Sequence, residues 1–271
     1  MAFPSTIQLS EEQILETTST QKLPMGTRGV TYDGRVFRYA QAGAVALTAH
    51  KLVISPVETD ISTATVQVFY EAYAVGTTFV KIDSATEAAA GVFKDGWLVV
   101  NSTDATYNQV VPIFTNEALV TSTALNQLTG VYLKKPGLKK LTDTATAIAK
   151  LVQNPYKGVL VSTDANGPGT PIGITPCAVT ASYYFWVQTW GPAMAHAGEG
   201  AEASIDKKAG FPVSWSTGST GGVAGMQQST GGNSDPAVTD SGFSSYNQVG
   251  VVLTAAPAAN FFHLIDLRLS P

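Results

Sequence analysis

The chain has 271 residues, 13% of them charged and 44% hydrophobic, with a net charge of −4 from 16 Lys and Arg against 20 Asp and Glu. That length is enough for a core needing no staples, and the abundance of apolar residues excludes a disordered composition. The absence of a basic excess removes the electrostatic footprint expected of a protein that binds nucleic acid or anionic lipid. A single cysteine, Cys177, rules out an intrachain disulfide. His50, His196 and His263 lie too far apart in the chain to write a Cys/His zinc spacing.

The N-terminus, Met-Ala-Phe-Pro-Ser-Thr-Ile-Gln-Leu-Ser-Glu-Glu, carries neither a basic n-region nor an apolar h-region, so no secretory leader is read and folding in a reducing cytoplasm is expected. Residues 1–24 read as an arm rather than core, polar and acidic: a flexible terminus, or else a segment that orders only against a partner subunit. Deleting it is expected to spare the fold. Within it, Ser10 followed by Gln13 has the spacing of a capping box and predicts one helical turn.

From Gly26 the pattern is that of strands. Asp33-Gly34 between Gly29–Tyr32 and Arg35–Tyr39 predicts a hairpin with both turn residues at positive φ, and Asp95-Gly96 between Gly91–Lys94 and Trp97–Val100 predicts a second. Further runs, Thr65–Tyr70, Thr77–Ile82, Gln109–Phe114 and Gly158–Ser162, are separated by Gly, Asn, Asp or Pro, the rhythm of a sandwich or barrel. Thr142–Gln153 is the best helix candidate, with strand favoured over helix.

The stretch between Asp164 and Glu199 has no charged residue, yet its prolines interrupt any apolar helix long enough to span a bilayer. Within it, the run from Ser182 to Pro192 predicts a strand with large residues on both faces: Tyr184, Trp186 and Gln188 on one, Tyr183, Phe185, Val187 and Thr189 on the other. Ser216–Gly242 holds seven Gly, five Ser and four Thr in 27 residues and predicts a long exposed loop whose shortening costs little. Phe261–Ser270 alternates as a half-buried strand, with His263, Ile265 and Leu267 on the apolar side.

Chemistry is sparse. There is no nucleophile elbow, and His196 with Glu199 lacks the further ligands a metal needs. Gly167–Gly173 lacks the Lys of a phosphate loop and opens no helix. Cys177, between Pro176 and Ala178, reads as an inert small core residue. Lys134, Lys135, Lys139 and Lys140 surround a Pro-Gly turn and read as a solvated turn, able to contact an acidic partner. No catalytic, cofactor-binding or metal-binding residue is assigned, and no enzyme activity or cofactor is expected.

Several stretches in order, Leu23–Gly29 leading into Tyr32–Gly43, Asp95–Asn101, Asn154–Val159 and Phe185–Pro192, resemble the capsid decoration, or cement, proteins of tailed bacteriophages. The resemblance implies an all-β, sandwich- or barrel-type virion protein on the outer capsid surface, made in the host cytoplasm. It implies binding to the major capsid protein and to itself, as a trimer by preference or else a dimer, without nucleic acid or membrane. It transfers no site residues. The expected organisation is an arm, 1–24, and a β-rich domain, 25–271, divisible into lobes 25–157 and 158–271. The alternative is a head-fibre or receptor-binding, glycan-adhesion module that stacks sugars on Trp186, Trp190 or Trp215.

Overall fold

The computed structural model describes residues 6–56, 67–83, 87–102, 107–118, 129–140, 142, 147–162, 170–197, 209–210, 212–215, 220–225, 248–254 and 262–270. Their regular structure is strand throughout, apart from one 3-10 turn at Gln13–Leu15, so the chain is all-β as its alternation predicts. Among the described residues, no helix is long and apolar enough to cross a membrane.

Two compact units emerge, one nested in the other: residues 1–57 with 156–271, and residues 58–155. The expected lobes 25–157 and 158–271 are corrected accordingly, because residues 25–57 pair with strands from the C-terminal half. Only the return point near 156 agrees with the expected boundary.

In the first unit, β1 (Thr6–Leu9) runs parallel to β2 (Arg28–Thr31), which forms a hairpin with β3 (Val36–Ala42). Then come β4 (Leu52–Ile54), β11 (Lys157–Val161), β12 (Pro171–Ile174) and β13 (Tyr184–His196). Hydrogen bonding runs β3–β11–β4–β12–β13 and returns from β13 to β3, a closed five-strand circuit around Ala40, Val53, Val159, Phe185 and Val187. The second half of β13 pairs with β17 (Phe262–Arg268). From there the sheet continues through β16 (Gly250–Thr254) and β14 (Pro212–Trp215) to β15 (Val223–Gly225). A second cluster, including Ala195, Val213, Val252, Ile265 and Leu267, fills this end.

The first hairpin forms where predicted, with a different turn. The Gly34 N–H donates to the Thr31 carbonyl, and Gly34 is the turn residue at positive φ (+87°), while Asp33 is not. This is a three-residue connection with glycine in the left-handed position rather than a two-residue turn. The Asp33 carboxylate accepts from Thr31 Oγ1 and Arg35 Nε, and Arg35 also pairs with Glu11.

The expected arm is corrected most. Ser10 and Gln13 do form the reciprocal capping box, each backbone N–H donating to the other's side chain, at 2.9 and 3.2 Å. The turn it starts carries Ile14 inward, and Leu9, Ile14, Met25, Phe37, Tyr39 and Trp186 make one buried cluster. Thr18 exchanges both backbone hydrogen bonds with Tyr184. Residues 6–24 therefore cover the outer side of β3 and β13 within the same chain. This is why both faces of the aromatic strand are buried from Phe185 to Thr189, as its residues predict.

The loop predicted over Ser216–Gly242 is also corrected in part. Val223 is fully buried in β15, and Gly221 sits in the left-handed region against Val161 and Lys51. The rest of that stretch, 216–219 and 226–242, lies outside the described residues.

The second unit is a closed antiparallel barrel of six strands, in the order β10 (Ala147–Val152), β5 (Gln67–Phe69), β6 (Phe79–Asp83), β9 (Thr129–Leu133), β8 (Gln109–Asn116) and β7 (Trp97–Ser102). Alternation along each strand sends Val80, Ile82, Leu98, Val100, Val111, Ile113, Val131, Ala149 and Leu151 into the barrel. Within Thr142–Gln153, Ala147–Val152 forms β10, and residues 143–146 lie outside the described residues.

The second predicted hairpin does not form. Gly91–Lys94 curls in successive turns, with Phe93 buried in the barrel and its N–H donating to Asn116 Oδ1 at 2.9 Å. Asp95 takes positive φ (+64°), and β7 pairs instead with β8 and β10.

Candidate interaction surface

The residues singled out in the sequence scatter. Trp186 is 6% exposed and packs edge-on against Tyr39 with ring centroids 5.3 Å apart, so it offers no sugar platform. Trp190 is half-buried between Val36 and Arg268 in the register, and the Trp215 side chain lies outside the described residues. Cys177 is half-buried rather than in the core, its Sγ directed at the Leu15 carbonyl oxygen 3.6 Å away, and burial pushes its thiol pKa up.

Distance in sequence hid one convergence. His50, in a left-handed turn (φ 59°), accepts the His196 N–H on its backbone carbonyl at 2.9 Å, and the rings of His50 and His196 both meet Phe262 edge-on, at 5.4 and 5.7 Å. His263 follows on β17, turned to the buried side as predicted. Burial holds His50 below the usual imidazole pKa. Among the described residues, no group of three His, Cys, Asp or Glu side chains is arranged to hold a metal. Glu199, the proposed companion of His196, lies outside the described residues.

The lysine turn divides. Lys134 Nζ bridges to Asp95 Oδ1 at 2.7 Å, and that carboxylate is 7% exposed, so this lysine is structural. Lys135, Lys139 and Lys140 are exposed. The turn is anchored to the barrel by Leu138, buried in its core, and by Gln109, whose Oε1 accepts the N–H groups of Lys139 and Lys140.

The outer wall of the barrel is the surface that departs most from expectation. A half-buried antiparallel strand normally turns polar residues outward. Here the outward positions of β8 are Val110, Pro112 and Phe114, with Val110 51% and Phe114 58% exposed. Register sets Val99 beside Val110, and Trp97 beside Pro112 on one side and Val152 on the other. On the neighbouring strands Phe79 stands opposite Tyr132, their rings 4.9 Å apart, and Tyr132 is one strand over from Thr115, next to Phe114. The Tyr132 hydroxyl donates to Glu117 Oε1 at 3.0 Å, and the Gly130 N–H donates to the other oxygen at 3.1 Å. That hydrogen bond to a carboxylate raises the Tyr132 pKa, so the phenol stays a donor at neutral pH.

The sequence alternation contained these residues, but nothing local marks which apolar positions of a strand face solvent. The wall is rich in aromatic side chains and poor in carboxylates, the composition of the centre of a protein interface. No protein-family model matches the chain, and neither a curated protein nor a solved structure does.

Proposed function

We propose that this chain is a structural virion protein that binds the outer surface of a major capsid protein shell and stabilises it. The observation that carries the reading is the apolar outer wall of the inserted barrel, a convex surface on a closed, filled core. A convex aromatic wall suits docking against another protein, whereas small-molecule sites are concave. The resemblance of Leu23–Gly29, Tyr32–Gly43, Asp95–Asn101, Asn154–Val159 and Phe185–Pro192 to capsid decoration proteins suggests the identity of that other protein. Contacts repeated over a shell add up to high avidity even when each is modest. Self-association as a trimer or dimer belongs to the same proposal.

The test is co-sedimentation of the purified chain with mature, undecorated shells of the phage that encodes it. Saturable binding at a fixed ratio to the capsid subunit, with a raised temperature of shell disruption, is expected. An absence of binding overturns the reading. The glycan-adhesion alternative is weakened by the burial of Trp186.

A further inference from the structure

We infer that the outer wall of the barrel is itself the surface that docks on the shell, and that the patch it meets is apolar with an acidic rim. This rests on the functional reading above and assigns that reading's contact to one face.

The centre of the wall is Trp97, Pro112, Phe114 and Tyr132, from three adjacent strands, and its only described carboxylate, Glu117, is occupied by Tyr132 and the Gly130 N–H. Described lysines stand around it. Lys81 and Lys150 point outward from β6 and β10. The turn bearing Lys135, Lys139 and Lys140 leaves β9 beside the wall, where the Lys134 N–H donates to the Pro112 carbonyl at 2.9 Å. Lys134 pairs with Asp95; Lys81, Lys135, Lys139 and Lys140 are exposed and Lys150 is half-buried.

A chain with net charge −4 thus presents its apolar wall inside a lysine rim, the reverse of its average charge. Two such walls meeting about a two-fold axis would bring like-charged rims together, which disfavours a second copy as the occupant. An acidic-rimmed apolar patch satisfies both the wall and its rim, and the rim charges speed and orient the encounter.

Binding of the full-length chain to undecorated shells, measured at two salt concentrations alongside its oligomeric state, decides the matter. Phe114→Asp places a charge at the centre of the wall on a side chain that is mostly exposed, and Lys150→Glu reverses one charge of the rim. Expected are a loss of affinity of about tenfold or more for Phe114→Asp and a clear loss for Lys150→Glu, with wild-type binding weakening as salt rises. Melting temperatures close to wild type show that the variants fold; Val110→Ser replaces Phe114→Asp if the latter does not.

Wild-type binding that persists unchanged in folded variants overturns this assignment and leaves the decoration role standing. A wild-type oligomer that Phe114→Asp converts to monomers makes a second copy the occupant and also overturns it. Failure of the wild type to bind shells overturns both.

Discussion

Gly34 and Gly137 both hold left-handed backbone, at φ +87° and +82°, yet they differ in what surrounds them. A Cβ at Gly34 would meet nothing within 4 Å, whereas one at Gly137 would lie 2.3 Å from the Thr77 carbonyl oxygen. Gly34→Ala is expected to cost about 1 kcal/mol, the conformational penalty alone, and Gly137→Ala distinctly more, in urea-unfolding midpoints of the two variants. His50 provides a pH test. Burial lowers its pKa when folded, so the folded state disfavours the protonated ring relative to an unfolded imidazole near about 6.5. The stability it contributes is therefore present above that value and is lost as pH falls through the lower, folded pKa. Urea unfolding at stepped pH between 7 and 5 should show stability falling in the wild type and falling less in His50→Asn, which tolerates the left-handed turn. At Cys177 the raised thiol pKa means little thiolate at neutral pH, so disulfide reagents should label the native chain more slowly than the unfolded one.

Among the elements, the N-terminal segment changes its meaning most. Its acidic, polar composition reads as an arm, but Leu9 and Ile14 are 5% and 4% exposed against Phe37, Tyr39 and Trp186. Deleting residues 1–24 removes those side chains from the core and uncovers Trp186, and should cost about 3 kcal/mol or more in thermal unfolding. The capping box was legible because its two residues are three apart; the cluster was not, because Trp186 is far along the chain. The Asp-Gly signals teach the same lesson. At Asp33-Gly34 both flanking runs have partners in each other. At Asp95-Gly96 the preceding run is drawn into turns by the burial of Phe93, and the following one pairs with β8 and β10. In the barrel, alternation predicts opposite outcomes three positions apart on one strand. Ile113→Ala, at a fully buried site, should cost about 2–5 kcal/mol, while Val110→Thr, outside, should stay within about 0.5 kcal/mol in the same melts.

At the scale of the whole molecule, the two units have separate cores: one cluster fills the inserted barrel, and three others lie in the sheet of the first unit. Cooperative unfolding follows shared cores. Calorimetry should accordingly show Ile113→Ala lowering one transition and Leu267→Ala lowering another; a uniform shift of a single peak by both variants would mean that the units unfold as one. The nesting itself was beyond the sequence, since a chain with strand signals throughout gives no sign of which strands close a barrel among themselves. The same holds for the three histidines, two of which meet at Phe262 through turns and strand ends distant in sequence.

The sequence alone determined the class and much of the local geometry: strands by alternation, the first hairpin by Asp33-Gly34, the capping box by Ser10 and Gln13. These depend on residues within a few positions of one another. Only the tertiary structure decided burial of the faces. Val110–Phe114 and Phe185–Val187 both put apolar residues on successive positions, yet the first leaves one face to solvent and the second is covered on both. The difference lies in what packs across the strand: the N-terminal segment shields Trp186, while among the described residues of the barrel unit the outer wall of β8 remains exposed, because burial is set by partners remote in sequence.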